Sequence, residues 1–209
     1  MSRRAWWFAL AAVVCVTLVV GALPRAHLLA RAHGYGRVRH VDMPVDGLRK
    51  AQARSSWHAP RSGGRRHEGI DLFAARGTTV RSATRGEIWR VGLDPLGGRV
   101  VTVLGEGPAL YYYAHLDAWA DGLRVGAPVE RGTVLGTVGN SGNARTTPPH
   151  LHFGVYRIGW LRSRAVDPFP LLSDSSSARP RSPPSAPRPA TPRGASRKAA
   201  PGDARRDRR

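Results

Sequence analysis

Cysteine and lysine are nearly absent from this chain of 209 residues, which contains one cysteine and two lysines. Cys15 lies in an apolar run, so a disulfide framework and a metal site ligated by cysteines are both excluded. Because Lys+Arg total 33 against 14 Asp+Glu, almost all of the formal charge of +19 comes from arginine. This charge predicts an anionic partner or an anionic environment, but it does not indicate a fold.

The chain also lacks internal repeats, and residues 41–172 show no sustained helical period apart from a short turn near Gly47–Arg54. This region instead contains short β-type runs separated by glycine-rich turns. The runs are Thr78–Arg81, Glu87–Val91, Arg99–Leu104, Leu110–His115, Val134–Val138 and His150–Tyr156. The pattern predicts one all-β domain over residues 41–172, flanked by extensions.

Charge is missing from residues 5–23, AWWFALAAVVCVTLVVGAL, a run of 19 residues. As a helix it would span about 29 Å, close to the hydrocarbon thickness of a bilayer. We therefore predict that residues 1–24 form a membrane anchor, with a linker over residues 25–40. A cleaved signal segment is the alternative, since Ala30–Ala32 offers a small-residue cleavage site.

Aromatic residues are absent from residues 173–209, which hold seven prolines and ten Arg or Lys. Such a segment cannot bury enough apolar surface to offset its ordering entropy, and it is predicted to be disordered. Its basic charge suggests a tether to an anionic surface, with a solvated tail lacking any partner as the alternative. No nucleic-acid-binding motif is present, so no specific nucleic-acid partner is expected.

Histidines and one aspartate form the candidate chemical site. If residues 69–73 are extended, His67 and Asp71 share a face, and a neutral imidazole with a carboxylate is a natural pair of metal ligands. His150 and His152 are two apart in a β-type run, so they also share a face. His115 ends a run in which strict alternation places Tyr113 on the same face as His115.

Two histidines and one aspartate would leave a bound zinc with an open fourth position for water, the arrangement of catalytic sites. Two further histidines would then be available to handle protons.

The order H-x-x-x-D, Y-A-H-L and P-H-L-H-F resembles the lysostaphin-type, or LytM-like, zinc endopeptidases. The segments G-I-D-L-F-A-A-R-G-T-T-V and G-T-V-L-G-T-V-G-N-S-G-N strengthen this resemblance, which spans about residues 44–170. It implies a single, largely antiparallel β-sheet domain with one zinc ion in a groove. It further implies that His67, Asp71 and His152 are zinc ligands and that His115 and His150 are catalytic. Tyr113, on the face of His115, is a candidate for substrate contact or oxyanion support, with simple packing as the alternative.

The resemblance implies a zinc endopeptidase that cleaves peptide bonds in the stem or cross-bridge peptides of bacterial peptidoglycan. The alternative is a catalytically silent module that binds cell wall or activates amidases. Because this substrate lies outside the cytoplasmic membrane, the anchored domain is expected in the periplasm or at the cell exterior. Secretion after signal cleavage is the corresponding alternative.

Overall fold

The computed structural model describes residues 26–160 and 162–174. The predicted anchor helix over residues 5–23 and the predicted disorder of residues 175–209 lie outside the described residues. Within the described ranges, no helix combines the length and apolarity needed to cross a bilayer.

Short strands dominate the described residues, as the alternating apolar pattern predicts. They are β1 (Val41–Asp42), β2 (Ile70–Phe73), β3 (Thr79–Arg81), β4 (Gly86–Asp94), β5 (Gly98–Gly105), β6 (Ala109–Trp119), β7 (Pro128–Val129), β8 (Val134–Val138), β9 (His150–Arg157), β10 (Arg164–Val166) and β11 (Leu172–Ser173). Single 3-10 turns occur at Lys50–Gln52, Ser62–Gly64, Gly142–Ala144 and Phe169–Leu171. The prediction of an all-β domain is confirmed.

The main sheet has the strand order β10-β9-β6-β5-β4-β7, and all its pairings are antiparallel. Strand β2 pairs with β9, and β8 pairs with both β3 and β6. Strand β9 is therefore flanked by β6 on one side and by β2 and β10 on the other. The two-stranded parallel pair β1–β11 joins the two ends of the domain.

One face of the main sheet packs into the hydrophobic core. Its largest fully buried side chains include Tyr111, Tyr113 and Phe153, together with leucines and isoleucines from β2, β4, β6 and β9. Because strand side chains alternate, this core face leaves the intervening residues of β6 and β9 on the opposite face. That second face forms the floor of the groove described below.

The region interpreted from the sequence as a linker contains regular structure, because residues 26–34 are helical. Ala32 is fully buried against Leu104 and Ile158. The Arg31 guanidinium also forms an ion pair with the buried Glu87 carboxylate. The helix is thus packed on the domain, and a stretch this short gave too few apolar positions to establish a helical period.

Candidate metal centre

Three side chains that the sequence analysis selects as metal ligands meet at one point. His67 Nε2 lies 2.8 Å from His152 Nδ1 and 3.1 Å from Asp71 Oδ1, and His152 Nδ1 lies 3.2 Å from the same oxygen. A tetrahedral zinc with bonds of about 2.0–2.1 Å holds its ligand atoms about 3.3 Å apart. The spacing and the chemistry of these three donors fit a zinc ion.

Strand pairing explains why Asp71 and His152 meet. In the antiparallel register of β2 and β9, Asp71 is directly opposite His152, so their side chains emerge side by side on one face. Gly69 precedes β2 and lies against this pair, because a Cβ at Gly69 would come within 2.7 Å of the His152 ring. A larger residue at Gly69 would therefore push the His152 ring out of place.

His67 reaches the site from a hairpin rather than from the sheet. Its Nδ1 lies 2.8 Å from the Ser56 carbonyl oxygen, which can only accept a hydrogen bond, so Nδ1 holds the proton. In the neutral ring, Nε2 then presents its lone pair to Asp71 and His152. Ser56 Oγ additionally accepts a hydrogen bond from the Asp71 amide at 3.0 Å, which ties the hairpin to β2.

The same tautomer arrangement occurs in the two histidines predicted to be catalytic. The Nδ1 of His115 donates to the Ser141 carbonyl at 2.8 Å, and the Nδ1 of His150 donates to the Pro148 carbonyl at 2.9 Å. In the neutral rings, both Nε2 atoms are left as proton acceptors.

The rings of His115 and His150 lie beside the three candidate ligand atoms of His67, Asp71 and His152. His115 and His150 have ring centroids 5.0 Å apart, and His115 lies 6.0 Å from the His152 ring. His150 Nε2 is 3.8 Å from Asp71 Oδ1. The structure therefore brings together all five histidine and aspartate residues selected from the sequence.

Burial controls the charge of the site. It lowers the pKa of His115 to about 4, with His150 and His152 acting in the same direction, so the ring is neutral near pH 7. Burial also lowers the pKa of His152. For Asp71 burial alone would raise the pKa, but the neighbouring His152 and His67 rings and the Arg61 guanidinium hold it well below the usual range. His115 and His152 are therefore favoured as neutral rings and Asp71 as a carboxylate, and metal binding requires neutral imidazole and ionised carboxylate ligands.

Tyr113 is not in the groove, which corrects its prediction as a substrate contact. Its side chain is fully buried, and its hydroxyl accepts a hydrogen bond from the Ala83 amide at 2.9 Å. Tyr112 lines the groove instead, with its ring edge-on to His152 at 5.9 Å.

A β-bulge in β6 explains this difference. Residues 113 and 116 of β6 pair with residues 101 and 99 of β5, so β6 has one extra residue between the two pairs. His115 lies in this interval with a φ of 62°. The extra residue reverses the alternation, and His115 therefore shares the groove face with Tyr112 rather than with Tyr113. No sequence pattern signals the bulge, since His115 is not a glycine.

The site lies in an open groove of about 710 Å³. Besides the histidines, its lining includes Tyr112, Tyr156, Glu68, Asp94, Arg65 and Arg66. Arg61 also lines the groove, and its guanidinium donates to Asp71 Oδ2, the carboxylate oxygen that faces away from the two ligand histidines. Sequence reasoning missed Arg61 because nothing distinguishes it from the neighbouring arginines.

A sheet that presents two imidazoles and a carboxylate at ligand spacing, with two more imidazoles beside them in an open groove, has the features of a metallohydrolase centre. Residues 65–168 of the chain match peptidase family M23. The chain belongs to this family, in agreement with its resemblance to the lysostaphin-type peptidases.

Similarity to characterised relatives extends beyond the site. The chain is 34% identical to the L-Ala–D-Glu endopeptidase of Bacillus subtilis, over 73% of this chain and 49% of that protein. It is 32% identical to lysostaphin of Staphylococcus simulans, over 52% of this chain and 22% of that protein. The chain thus spans half or less of the length of these relatives.

Solved structures show the same fold. A putative glycyl-glycine endopeptidase LytM from Ruminococcus gnavus matches with a TM-score of 0.53 at 29% identity, covering 68% of this chain and 61% of that one. Helicobacter pylori Csd3 matches with a TM-score of 0.52 at 30% identity, covering 65% of this chain and 35% of that one.

Proposed function

We propose that this chain is a zinc-dependent endopeptidase that hydrolyses peptide bonds in the stem or cross-bridge peptides of bacterial peptidoglycan. The observation that supports the proposal most strongly is the triangle of donor atoms from His67, Asp71 and His152, which lies in an open groove beside two further histidines. Membership of family M23 and the endopeptidase names of the relatives support the same reaction class.

His67, Asp71 and His152 would hold one zinc ion. When bound, zinc supplies Lewis acidity, which polarises a peptide carbonyl and makes water a stronger acid. Arg61 holds the outer oxygen of the Asp71 carboxylate, and Ser56 holds the His67 ring, so the donor atoms are oriented before any ion arrives.

His115 and His150 are proposed to move protons. Their Nδ1 atoms are fixed as donors to main-chain carbonyls, so only Nε2 can take a proton from the attacking water. The protonated ring can then donate the proton to the amine that leaves as the peptide bond breaks. Because no acyl group is transferred to the protein, this reaction requires no nucleophilic side chain.

The localisation proposal follows from the substrate. Peptidoglycan lies outside the cytoplasmic membrane, so the domain would act in the periplasm or at the cell exterior. The uncharged run of residues 5–23 supports delivery by an anchor or a signal segment. A reporter can be fused after residue 172. If that reporter were active only in the cytoplasm, the result would contradict this proposal.

The test is incubation of the zinc-loaded chain with purified peptidoglycan of several wall types, followed by mass spectrometry of the products. We expect new peptide termini from the unmodified chain and none from Asp71→Asn, which lacks the anionic donor. Asp117→Asn is the matched control, because Asp117 forms an ion pair with Arg76 and is not among the groove-lining residues.

Zinc content is measured in parallel for all three proteins. Absence of cleavage by the zinc-loaded chain on every wall type would overturn the proposal and favour a silent module. Cleavage by Asp71→Asn equal to that of the unmodified chain would overturn the assigned role of Asp71.

A further inference from the structure

Three arginines lie on a hairpin beside the proposed metal centre. Residues 58–67 fold back on themselves through main-chain hydrogen bonds, which include His58 N to His67 O at 3.0 Å and Arg61 N to Arg65 O at 2.9 Å. The tip is the 3-10 turn Ser62–Gly64, in which Gly63 and Gly64 both have a φ of 71°. We call residues 58–67 the arginine hairpin.

The base of the arginine hairpin is fixed to the centre. His67, the last residue of the hairpin, is one of the candidate ligands. Ser56, which precedes the hairpin, accepts hydrogen bonds from both the His67 ring and the Asp71 amide. Arg61 also pairs with the Asp71 carboxylate. The base of the arginine hairpin is therefore held beside the donor atoms by contacts with the same residues.

Arg65 and Arg66 differ from Arg61 because, among the described residues, neither forms an ion pair. Arg65 Nε donates to the Ser62 carbonyl at 3.2 Å, and Arg66 Nη1 donates to the His58 carbonyl at 3.3 Å. Both side chains are exposed and line the groove. Each guanidinium has five N–H donors, so most of its donors remain available to a ligand.

Acidic groups in the groove do not neutralise these two arginines. Asp94 accepts hydrogen bonds from the Leu96 and Gly97 amides at 3.0 and 2.8 Å, and its ion-pair partner is Arg90. Within the part of the chain that the structure describes, Glu68 forms no ion pair with either arginine. Adjacent cationic side chains repel each other, and a bound anion would relieve this repulsion.

We propose that Arg65 and Arg66 bind a free carboxylate of the peptide substrate, one that is not part of the scissile bond. A guanidinium matches a carboxylate through two parallel hydrogen bonds, which gives both affinity and orientation. The inference rests on the proposed peptidase function and makes it more specific: the preferred substrates are acidic peptides, in which a carboxylate near the cleaved bond is not amidated.

The test uses two synthetic peptides that contain L-Ala-D-Glu and differ only in amidation of the free glutamate carboxyl. Binding is measured by calorimetry, and kcat/KM is measured by chromatography, both with the full zinc-loaded chain. We expect Arg65→Gln/Arg66→Gln to weaken binding of the acid peptide by about tenfold or more and binding of the amidated peptide by less than about twofold.

Arg124→Gln/Arg164→Gln is the matched control, because it removes the same charge from exposed arginines that are not among the groove-lining residues. Arg65→Lys/Arg66→Lys keeps the charge but removes the two-pronged hydrogen bonding, so it should retain part of the preference for the acid peptide. Equal affinity of the unmodified chain for both peptides would overturn the proposal. Equal loss for both peptides in the Gln variant would overturn it as well.

The two proposals can fail separately. Binding of the acid peptide that depends on Arg65 and Arg66, without hydrolysis of any peptide or wall, would support the carboxylate site and contradict the peptidase function. Hydrolysis of both peptides at the same rate and with the same affinity would support the peptidase function and contradict the carboxylate site.

Discussion

Gly69 lies against the His152 ring and the main chain of Phe153. A Cβ there would come within 2.6 Å of the Phe153 carbonyl oxygen and 2.7 Å of the ring, distances at which the backbone or the ring must move. Ligand geometry tolerates displacements of only a few tenths of an ångström, so the absence of a side chain at residue 69 is a requirement of the proposed metal site.

We expect Gly69→Ala to weaken zinc binding at least about tenfold, a loss comparable to that caused by changing a residue that orients a ligand. Competition with a chromogenic chelator measures the affinity. Gly92→Ala is the control, because a Cβ at Gly92 meets nothing within 4 Å and its φ lies outside the positive region. Equal zinc affinity of the two variants would contradict the assigned role of Gly69.

His115 should make the stability of the metal-free protein depend on pH. Burial lowers its pKa to about 4 in the folded state, against about 6.5 when unfolded. Between these values the unfolded chain binds more protons, so this contribution to stability is fully present above about pH 6.5 and is lost as the pH falls towards 4.

The variant His115→Asn removes this titration, and asparagine tolerates the positive φ at this position. As the pH falls from 7 to 4, the unmodified chain should lose about 2 to 3 kcal/mol more of its free energy of unfolding than the variant loses. Urea unfolding at several pH values measures the difference. Parallel pH profiles for the two proteins would show that His115 is not the titrating group.

Two neighbouring tyrosines of β6 lie on opposite faces of the sheet, and the bulge determines which of them shares its face with His115. Tyr113 faces the core and its hydroxyl accepts a hydrogen bond from Ala83, whereas Tyr112 faces the groove and contacts the His152 ring edge-on. In a strand without the bulge, His115 would lie on the same face as Tyr113. The bulge therefore brings His115 to the groove face that already holds Tyr112.

We expect Tyr113→Phe to lower the free energy of unfolding by about 1 to 3 kcal/mol, because the buried Ala83 amide loses its acceptor. The zinc affinity of the Tyr113→Phe variant should equal that of the unmodified chain. Tyr112→Phe should instead alter KM for peptide substrates with a smaller effect on stability. Denaturant unfolding and steady-state kinetics on both variants provide the measurements, and the opposite pattern would contradict the assignment of Tyr113 to the core and Tyr112 to the groove.

The proposed ligands join parts of the molecule that are distant along the chain. His67 comes from the arginine hairpin, Asp71 from β2 and His152 from β9, so an ion bound by all three connects elements separated by 85 residues. An ion that binds only the folded chain stabilises it by mass action.

Zinc at about one hundred times its dissociation constant should raise the free energy of unfolding by about 2.7 kcal/mol. Differential scanning calorimetry should show a higher Tm with zinc, which a chelator reverses and Mg²⁺ does not reproduce. The variant Asp71→Asn should show a much smaller rise. A Tm that responds to neither zinc nor chelator would contradict the proposed metal centre.

Much of this molecule could be predicted from its sequence. The period-2 pattern around Leu151 and Phe153 correctly placed His150 and His152 on one face, and the six β-type runs all coincide with strands. The short strands β1, β7, β10 and β11 contain two or three residues each, too few to show a period. Their presence depends on pairing with distant segments.

The parts of the site that were missed depend on tertiary structure. The bulge at His115 changes the alternation without a glycine to mark it, and Arg61 becomes distinctive only when the arginine hairpin folds back towards Asp71. Likewise, Ser56 orients His67 from eleven residues away. These contacts arise from the path of the backbone, which a local pattern does not encode.

Three imidazole rings are oriented by main-chain carbonyl oxygens, those of Ser56, Pro148 and Ser141. A carbonyl is present whatever the side chain, so a substitution at any of these three positions leaves the acceptor in place as long as the backbone keeps its course. The tautomers of these rings therefore depend on the path of the backbone and not on the side chains at these three positions. A change in the course of these loops, rather than a change of side chain, would alter the orientation of the rings.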